Sequence, residues 1–279
     1  MSLPPFTITA PPAPPIPAGL YSAATLTSTD QARFLGGLEV HSPNTGGHGT
    51  WPTGCPAPGD MPDKGGQRTA PLTFDATIAW AVDECKTVGI TEDEARDRAV
   101  NLLRLTEPLD VEKDTAEKLK IVRPARTAGS FEDAVEQIED ALAADGYAGV
   151  IHARRGLLAH LPQHLVVRQG AQLFTPGGHR WAFGAGYESL GDTLVGTGPV
   201  HIVQGPVSVD VSVNSRNNLR TALAERAVAV GWEPPTIAVT VNRGENNNTG
   251  DTGTTGATLP SRTTLPGANT LPNGGNNAS

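Results

Sequence analysis

The sequence predicts an α+β protein, and three stretches predict it. Residues 91–121 carry the longest helical pattern, Ser130 to His164 reads as helix, strand and short helix, and the stretch from Leu165 to Val241 reads almost wholly as strand. The two helical stretches have start signals that make the reading more than a matter of propensity. Thr91 with Glu94 forms a capping box, and Ser130 is an N-cap with Asp133 three residues on.

Composition sets the outer bounds. Hydrophobic residues are 38 % of the 279, while Gly at 32 and Pro at 24 are high and crowd the ends and residues 36–70. A packed core therefore takes about two-thirds of the chain. Arg outnumbers Lys, and Ala and Gly are abundant, as in proteins from GC-rich genomes. The net charge is −8 with no run of Lys or Arg, which excludes a surface built to grip nucleic acid. Two cysteines, Cys55 and Cys85, fit a reducing compartment better than a disulfide scaffold. No apolar h-region follows Met1 and no run of 18 apolar residues occurs, so the expectation is a soluble, cytoplasmically made protein with no membrane span.

Taken in order, residues 1–20 are dense in proline and expected to be extended, with Phe6, Ile8, Ile16 and Leu20 available to lie on a neighbouring subunit. Residues 33–40 and 72–80 read as strands, with Leu72, Phe74 and Ile78 on one parity. Between them a long loop of Gly, Pro and His carries Trp51. So long a loop is expected to project and pack on another subunit. Helix 91–121 places Ala95, Ala99, Leu102 and Leu103 on one face, then Val111, Leu119 and Ile121, and Pro108 is expected to kink or divide it after Thr106. Its mixed outer charges read as a solvated face with weak i,i+4 pairs.

The next helix repeats Phe131, Val135, Ile138 and Leu142 at helical spacing and is expected to end at Gly146. It also carries Glu132, Asp133, Glu136, Glu139, Asp140 and Asp145 with no base, either a solvent face or an interface to a basic patch such as Arg154 and Arg155 of an adjacent copy. A strand at 147–151 and a short helix at 154–161 follow. Strands are then expected at 165–169, 172–175, 181–187, 194–195, 200–203, 207–213, 219–232 and 236–241, with a turn at Asn214–Asn218. After Arg243 an extended polar tail repeats Thr-Leu-Pro at 258–260, 264–266 and 270–272.

No stretch supplies catalytic machinery. Gly-x-Ser-x-Gly, His-Glu-x-x-His and Walker sequences are missing, and Gly184-Ala-Gly186 and Gly196-Thr-Gly198 lack the context of phosphate loops. His41, His48, Cys55 and Cys85 lack the close-paired spacing of a zinc site. His160 and His164 are separated by Pro162, and Glu225-Arg226 reads as an ion pair. Nucleophile, base and orienting partner are never found together, so no enzyme, cofactor or metal is expected.

The order of parts resembles the major capsid protein of tailed bacteriophages, the Hong Kong 97-type fold shared with encapsulin shells. The resemblance lies in the helix 131–145, then Gly149-Val-Ile-His-Ala-Arg-Arg155 and Gly156–Leu161, the apolar pair around Gly178–Tyr187, Leu194-Val-Gly-Thr-Gly198, the turn at Asn214–Asn218, and Ala224-Glu-Arg226 through Pro234, Pro235 and Ala238. It implies an N-terminal arm at 1–33, an extended loop at 34–85, a peripheral domain with a spine helix at 86–128, an axial domain at 129–204, peripheral return strands at 205–242 and a flexible tail at 243–279. It further implies self-assembly into hexamers and pentamers of an icosahedral head, built in the cytoplasm of a GC-rich, actinobacterial host and enclosing double-stranded DNA without sequence-specific binding. Interface candidates on this reading are Phe6, Ile8, Trp51, Arg154, Arg155, Glu136 and Glu139. A separate scaffolding protein, a portal and a decoration protein are the implied partners. An encapsulin-like cargo shell and a phage tail or decoration protein are the alternatives.

Overall fold

The computed structural model describes residues 10–51, 53–54, 64–121 and 126–242. The chain opens with a single helical turn, α1 (Leu20–Ala23), followed by β1 (Thr25–Ser28), a 3-10 turn at Ala32–Gly36 and β2 (Leu38–Val40). Next come β3 (Leu72–Phe74), β4 (Ala76–Lys86) and the long helix α2 (Glu92–Lys120). A second unit begins with β5 (Arg126–Ala128), α3 (Phe131–Ala143) and β6 (Val150–Arg154), then β7 (Val167–Gln169), β8 (Gln172–Phe174), β9 (Arg180–Gly184) and β10 (Thr193–Thr197). The chain returns through β11 (Val200–Gln204), β12 (Ser208–Asn214), β13 (Leu219–Trp232) and β14 (Thr236–Val241).

The first sheet has five strands arranged around β13. On one side β13 pairs with β4 along the whole of β4, from Leu219↔Lys86 to Ala229↔Ala76. On the other it pairs with β12 and, further on, with β11, to which β1 adds in parallel. Helix α2 lies on this sheet through small residues: Ala79, Ala81, Ala222 and Ala224 meet Ala95, Ala99 and Leu103. Alanine on both surfaces allows helix and sheet to approach closely with few voids.

The second sheet runs β5-β14-β10-β6-β9-β8-β7, and α3 packs on it with Phe131, Ala134, Val135, Ile138 and Leu142 inward. Side chains of that kind contribute roughly 1.5–3 kcal/mol each when fully buried. Gly196 of β10 makes the close contact possible, because a Cβ there would lie 2.5 Å from the Ile138 side chain.

Several elements differ from the sequence reading. Helix α2 runs unbroken through Pro108. Proline removes one helical hydrogen bond, but Leu103, Glu107, Val111 and Glu112 on both sides of it are buried and hold the axis together. The strand expected at 147–151 starts at Val150, since Gly146 at φ 78° and the Gly149 amide, donated to His179 Nδ1 at 3.0 Å, shape a connection first. Helix α3 ends at Ala143, three residues before Gly146. The 3-10 turn Ala32–Gly36 takes up the start of the run at 33–40, and only Leu38–Val40 of that run is strand.

The strand expected at 72–80 is two, and the second, β4, continues to Lys86 as a full member of the first sheet. The paired β2 and β3 form the base of the long loop, and that base packs on its own chain: Phe74 meets Trp232 at 4.4 Å between ring centroids. The segment around α1 is also built in, with Ala18, Leu20 and Ala23 buried. An apolar residue in a proline-rich run needs only a groove to fill, and the groove is supplied by α2 and β9 of the same chain.

Candidate assembly surfaces

Residues 13–24 form a strap laid between α2 and the second sheet. Its carbonyls are held by donors from both: Arg104 Nη2 to Ala13 O at 2.7 Å, Arg155 to Pro17 O, Phe183 N to Ala18 O at 2.9 Å, Gln172 Nε2 to Ser22 O at 3.1 Å and Arg180 Nη1 to Ala23 O at 3.1 Å. Two buried carboxylates of α2 hold its other groups. Glu112 accepts the N–H of Leu20 at 2.9 Å and that of Gly186 at 3.0 Å. Glu107 accepts Tyr21 Oη–H at 2.9 Å and Gln204 Nε2–H at 2.6 Å, with Arg226 Nη1 at 3.3 Å from its other oxygen.

The electrostatics follow from burial. Desolvation raises the Glu112 carboxyl above its ordinary value, opposed by the Gly186 and Leu20 amides and the charge of Arg155. Tyr21 is raised far above the ordinary phenol range by burial and then by the negative Glu107. Both shifts follow from burying groups that tie the strap to α2.

Two further buried polar groups fix elements on either side of this frame. His152 sits in β6 with Tyr187 Oη at 3.0 Å from Nδ1 and Thr197 Oγ1 at 3.0 Å from Nε2, and burial pushes its pKa down to about 3. Glu233 anchors the start of the long loop through Ser42 Oγ and through Asn44 Nδ2 at 2.8 Å. Burial alone would raise Glu233, but the hydrogen bonds of Ser42, Asn44 and His201 together hold it below its ordinary value.

The residues singled out from the sequence are scattered over this frame. Phe6 and Ile8 lie outside the described residues, as do Cys55 and the tail after Asn242. Trp51 is 39 % exposed in the long loop, with Lys64 Nζ 4.1 Å from its ring centroid. Arg154 is engaged within its own chain, donating to Gly191 O at 2.8 Å and to Asp192 Oδ1 at 2.9 Å, and Arg155 clamps the strap. On α3, Glu136 is exposed and Glu139 is half-buried against Gly177. Glu225 and Arg226 point to opposite faces of β13, as neighbours on a strand must, so Arg226 pairs with Glu107 instead. His160 and His164 are exposed.

The strap anchors were missed in the sequence, although Ala99, Leu103, Glu107 and Val111 follow one another at four-residue steps along the buried stripe of α2. An acid in register with a buried stripe is the signal that would have found Glu107. Among the described residues no three His, Cys, Asp or Glu are grouped to hold a metal ion, and no helix is long and apolar enough to cross a membrane. What the arrangement offers is surfaces: a strap, a long loop rooted in the β2–β3 pair, and an acidic helix face.

A long helix on one sheet, a second sheet with its own helix, and a loop rooted in a two-stranded hairpin define the Hong Kong 97-type capsid fold. By sequence the chain matches no protein-family model and no curated protein. By structure it is similar to the capsid protein of an empty GTA particle, with a TM-score of 0.54 at 12 % identity over 86 % of this chain and 95 % of that one. It is likewise similar to a chain of Microbacterium phage Oxtober96, with a TM-score of 0.50 at 12 % identity over 86 % and 96 %. A third likeness is to the holo-SrpI encapsulin complex of Synechococcus elongatus, with a TM-score of 0.50 at 12 % identity over 85 % and 92 %.

Proposed function

We propose that the chain is the major capsid protein of a tailed bacteriophage, a structural rather than catalytic subunit that self-assembles into the hexamers and pentamers of an icosahedral head. The observation that carries this reading is the likeness in fold to the chain of the GTA capsid, which takes in 86 % of this chain and 95 % of that one. In this reading residues 129–204 form the axial domain and residues 86–128 with 205–242 the peripheral domain. The arm at 1–33 and loop at 34–85 reach neighbours, and the tail is 243–279. Rings of this kind are heterologous: one surface meets a different surface of the next copy, so contacts close into capsomers and tile.

The net charge of −8 supports an enclosing rather than gripping relation to double-stranded DNA, since packaged phosphates are repelled by an acidic wall. Scaffolding protein, portal and decoration protein are the expected partners, with assembly in the cytoplasm of a GC-rich host. The similarity to an encapsulin complex favours one alternative, a shell loaded with protein cargo. Electron cryo-microscopy of the purified chain, expressed alone and with the scaffolding candidates of its own genome, tests both. Closed icosahedral particles are expected. Particles that package protein and never DNA would favour the cargo shell, and rings, tubes or monomers under every condition would overturn the reading.

A further inference from the structure

The five-stranded sheet has two unlike faces. Residues of one parity, Ala79 and Ala81 on β4 and Ala222 and Ala224 on β13, are buried under α2. Residues of the other parity face away from it, and there Ile78 is 58 % and Trp80 is 61 % exposed. The register places Ile78 beside Ala227, Trp80 beside Glu225 and Val82 beside Leu223, with Asp210 of β12 opposite Leu223. The base of the long loop covers the Gly231 end of this face, where Phe74, Val40 and Leu38 crowd the glycine, but Ile78 and Trp80 remain open. Ile78 and Trp80 stand side by side on one face of β4 and form a contiguous apolar patch of the kind contact surfaces use. Its surroundings are acidic: Glu84, Glu225 and Asp210 share the face.

The other flank of α2 carries the complement. A cleft of about 600 Å³ opens between the strap and the helix, floored by the buried Leu103. Along it Ile16 is 63 %, Leu26 47 % and Val100 37 % exposed. Arg104 lines the same cleft, exposed, and donates to the neutral Ala13 O and Asn101 Oδ1, while the two carboxylates that also line it are buried and engaged elsewhere, Glu107 with Tyr21, Gln204 and Arg226 and Glu112 with the Leu20 and Gly186 amides. A cleft of that size is in the range that encloses a large apolar group. A tryptophan side chain brings 150–250 Å² to bury, on the order of what such a cleft can cover.

We propose that the Ile78–Trp80–Val82 ridge of one copy seats in the Ile16–Leu26–Val100 cleft of a second copy, with Glu84 or Glu225 meeting Arg104. This rests on the reading of the chain as a self-assembling shell subunit and names the surfaces it uses. Ridge and cleft are different surfaces of one chain, so the contact is head-to-tail, the type from which rings are built when the rotation between copies closes. The apolar contact supplies the attraction, and the charge pairing sets the register.

The test uses the full-length chain with Cys55→Ser and Cys85→Ser as background. Trp80→Cys and Val100→Cys proteins are prepared separately, mixed and oxidised. A disulfide-linked dimer is expected in the mixture and in neither protein alone. Trp80→Ala and Arg104→Glu should raise the concentration needed for assembly at least tenfold while leaving circular dichroism unchanged, and Glu225→Arg or Glu84→Arg should restore assembly to Arg104→Glu. Particles that form normally from Trp80→Ala, or that form without the mixed disulfide, would overturn this contact and leave the shell reading standing. Absence of particles from the unaltered chain, with no mixed disulfide, would overturn both.

Discussion

The Glu112 carboxylate accepts the backbone N–H of Leu20 at 2.9 Å, tying the middle of the longest helix to a turn 92 residues earlier. The same side chain takes the Gly186 amide at 3.0 Å, so a single buried acid joins strap, helix and second sheet. Glu112→Ala leaves two buried donors without acceptors, and each such donor costs about 1–3 kcal/mol. The expected loss is roughly 2–6 kcal/mol in urea unfolding of the unassembled subunit. Tyr21→Phe removes only one donor from Glu107, which keeps Gln204 and Arg226, and should cost about 1 kcal/mol. Equal effects of the two substitutions would show that the strap is not anchored chiefly at Glu112.

A second prediction concerns a glycine that the fold requires. A Cβ added at Gly186 would lie 2.3 Å from Leu109 O and 2.6 Å from Glu112 Cβ, both parts of α2 that cannot swing away. Gly186→Ala must therefore push the helix off the second sheet and pull on the Glu112 hydrogen bond. Overpacking of this kind costs about 1–3 kcal/mol or more. Gly170→Ala is the control: nothing lies within 4 Å of a Cβ there, and only its φ of 62° is unfavourable. Thermal unfolding should show the larger drop for Gly186→Ala.

The pH dependence of stability should carry the mark of His152. Burial lowers its pKa to about 3 in the folded chain, whereas in the unfolded chain it titrates near its ordinary value of 6.5. Between these values the unfolded state binds the proton and the folded state does not. The contribution of the neutral imidazole is thus complete above pH 6.5 and is lost as pH falls toward 3, at about 1.4 kcal/mol per pH unit within the window. Glu112 works against this trend. Its folded value is raised, so its contribution is full below its unfolded value and is lost as pH rises through the folded one. Urea midpoints measured from pH 7.5 to pH 5 should fall, and His152→Asn should flatten that slope while lowering stability at pH 7.5. An unchanged slope would remove His152 as its source.

Much of this architecture was legible in the chain, and the parts that were not share a cause. Helix α2 announced itself by Thr91 and Glu94, whose reciprocal capping bonds form, and β13 and β14 were bounded by turn residues at Asn214–Asn218 and Pro234-Pro235. Those signals are local. What escaped depended on distant partners: the strap, whose Leu20 is buried only because α2 and β9 make its groove, and Glu107 and Glu112, whose acceptors serve donors some 75 to 100 residues away. Likewise Ile78 shares the parity of Leu72 and Phe74 yet is exposed, since β3 and β4 are separate strands in different sheets. For the surfaces, composition indicated the loop and arm as peculiar, but no local pattern could separate Trp80 from a core tryptophan such as Trp181.

The last prediction returns to Pro108. A proline in a helix interior removes the bond from its own nitrogen to the carbonyl four residues back, that of Arg104, and costs about 3 kcal/mol relative to alanine. In α2 that cost is met by burial on both sides of the break, with Leu103 at 1 % and Val111 at 0 % exposure. Pro108→Ala supplies the missing N–H to a helix that already continues without a break through the site, so the substitution should raise the unfolding temperature. The gain expected is below the full propensity difference, about 1–2 kcal/mol, because the ring also lines the cleft beside the strap and its removal gives up some packing there. The measurement is a pair of calorimetric scans of the unassembled subunit. A lowered unfolding temperature would mean that the helix depends on the proline for a bend that Leu103 and Val111 are packed to match.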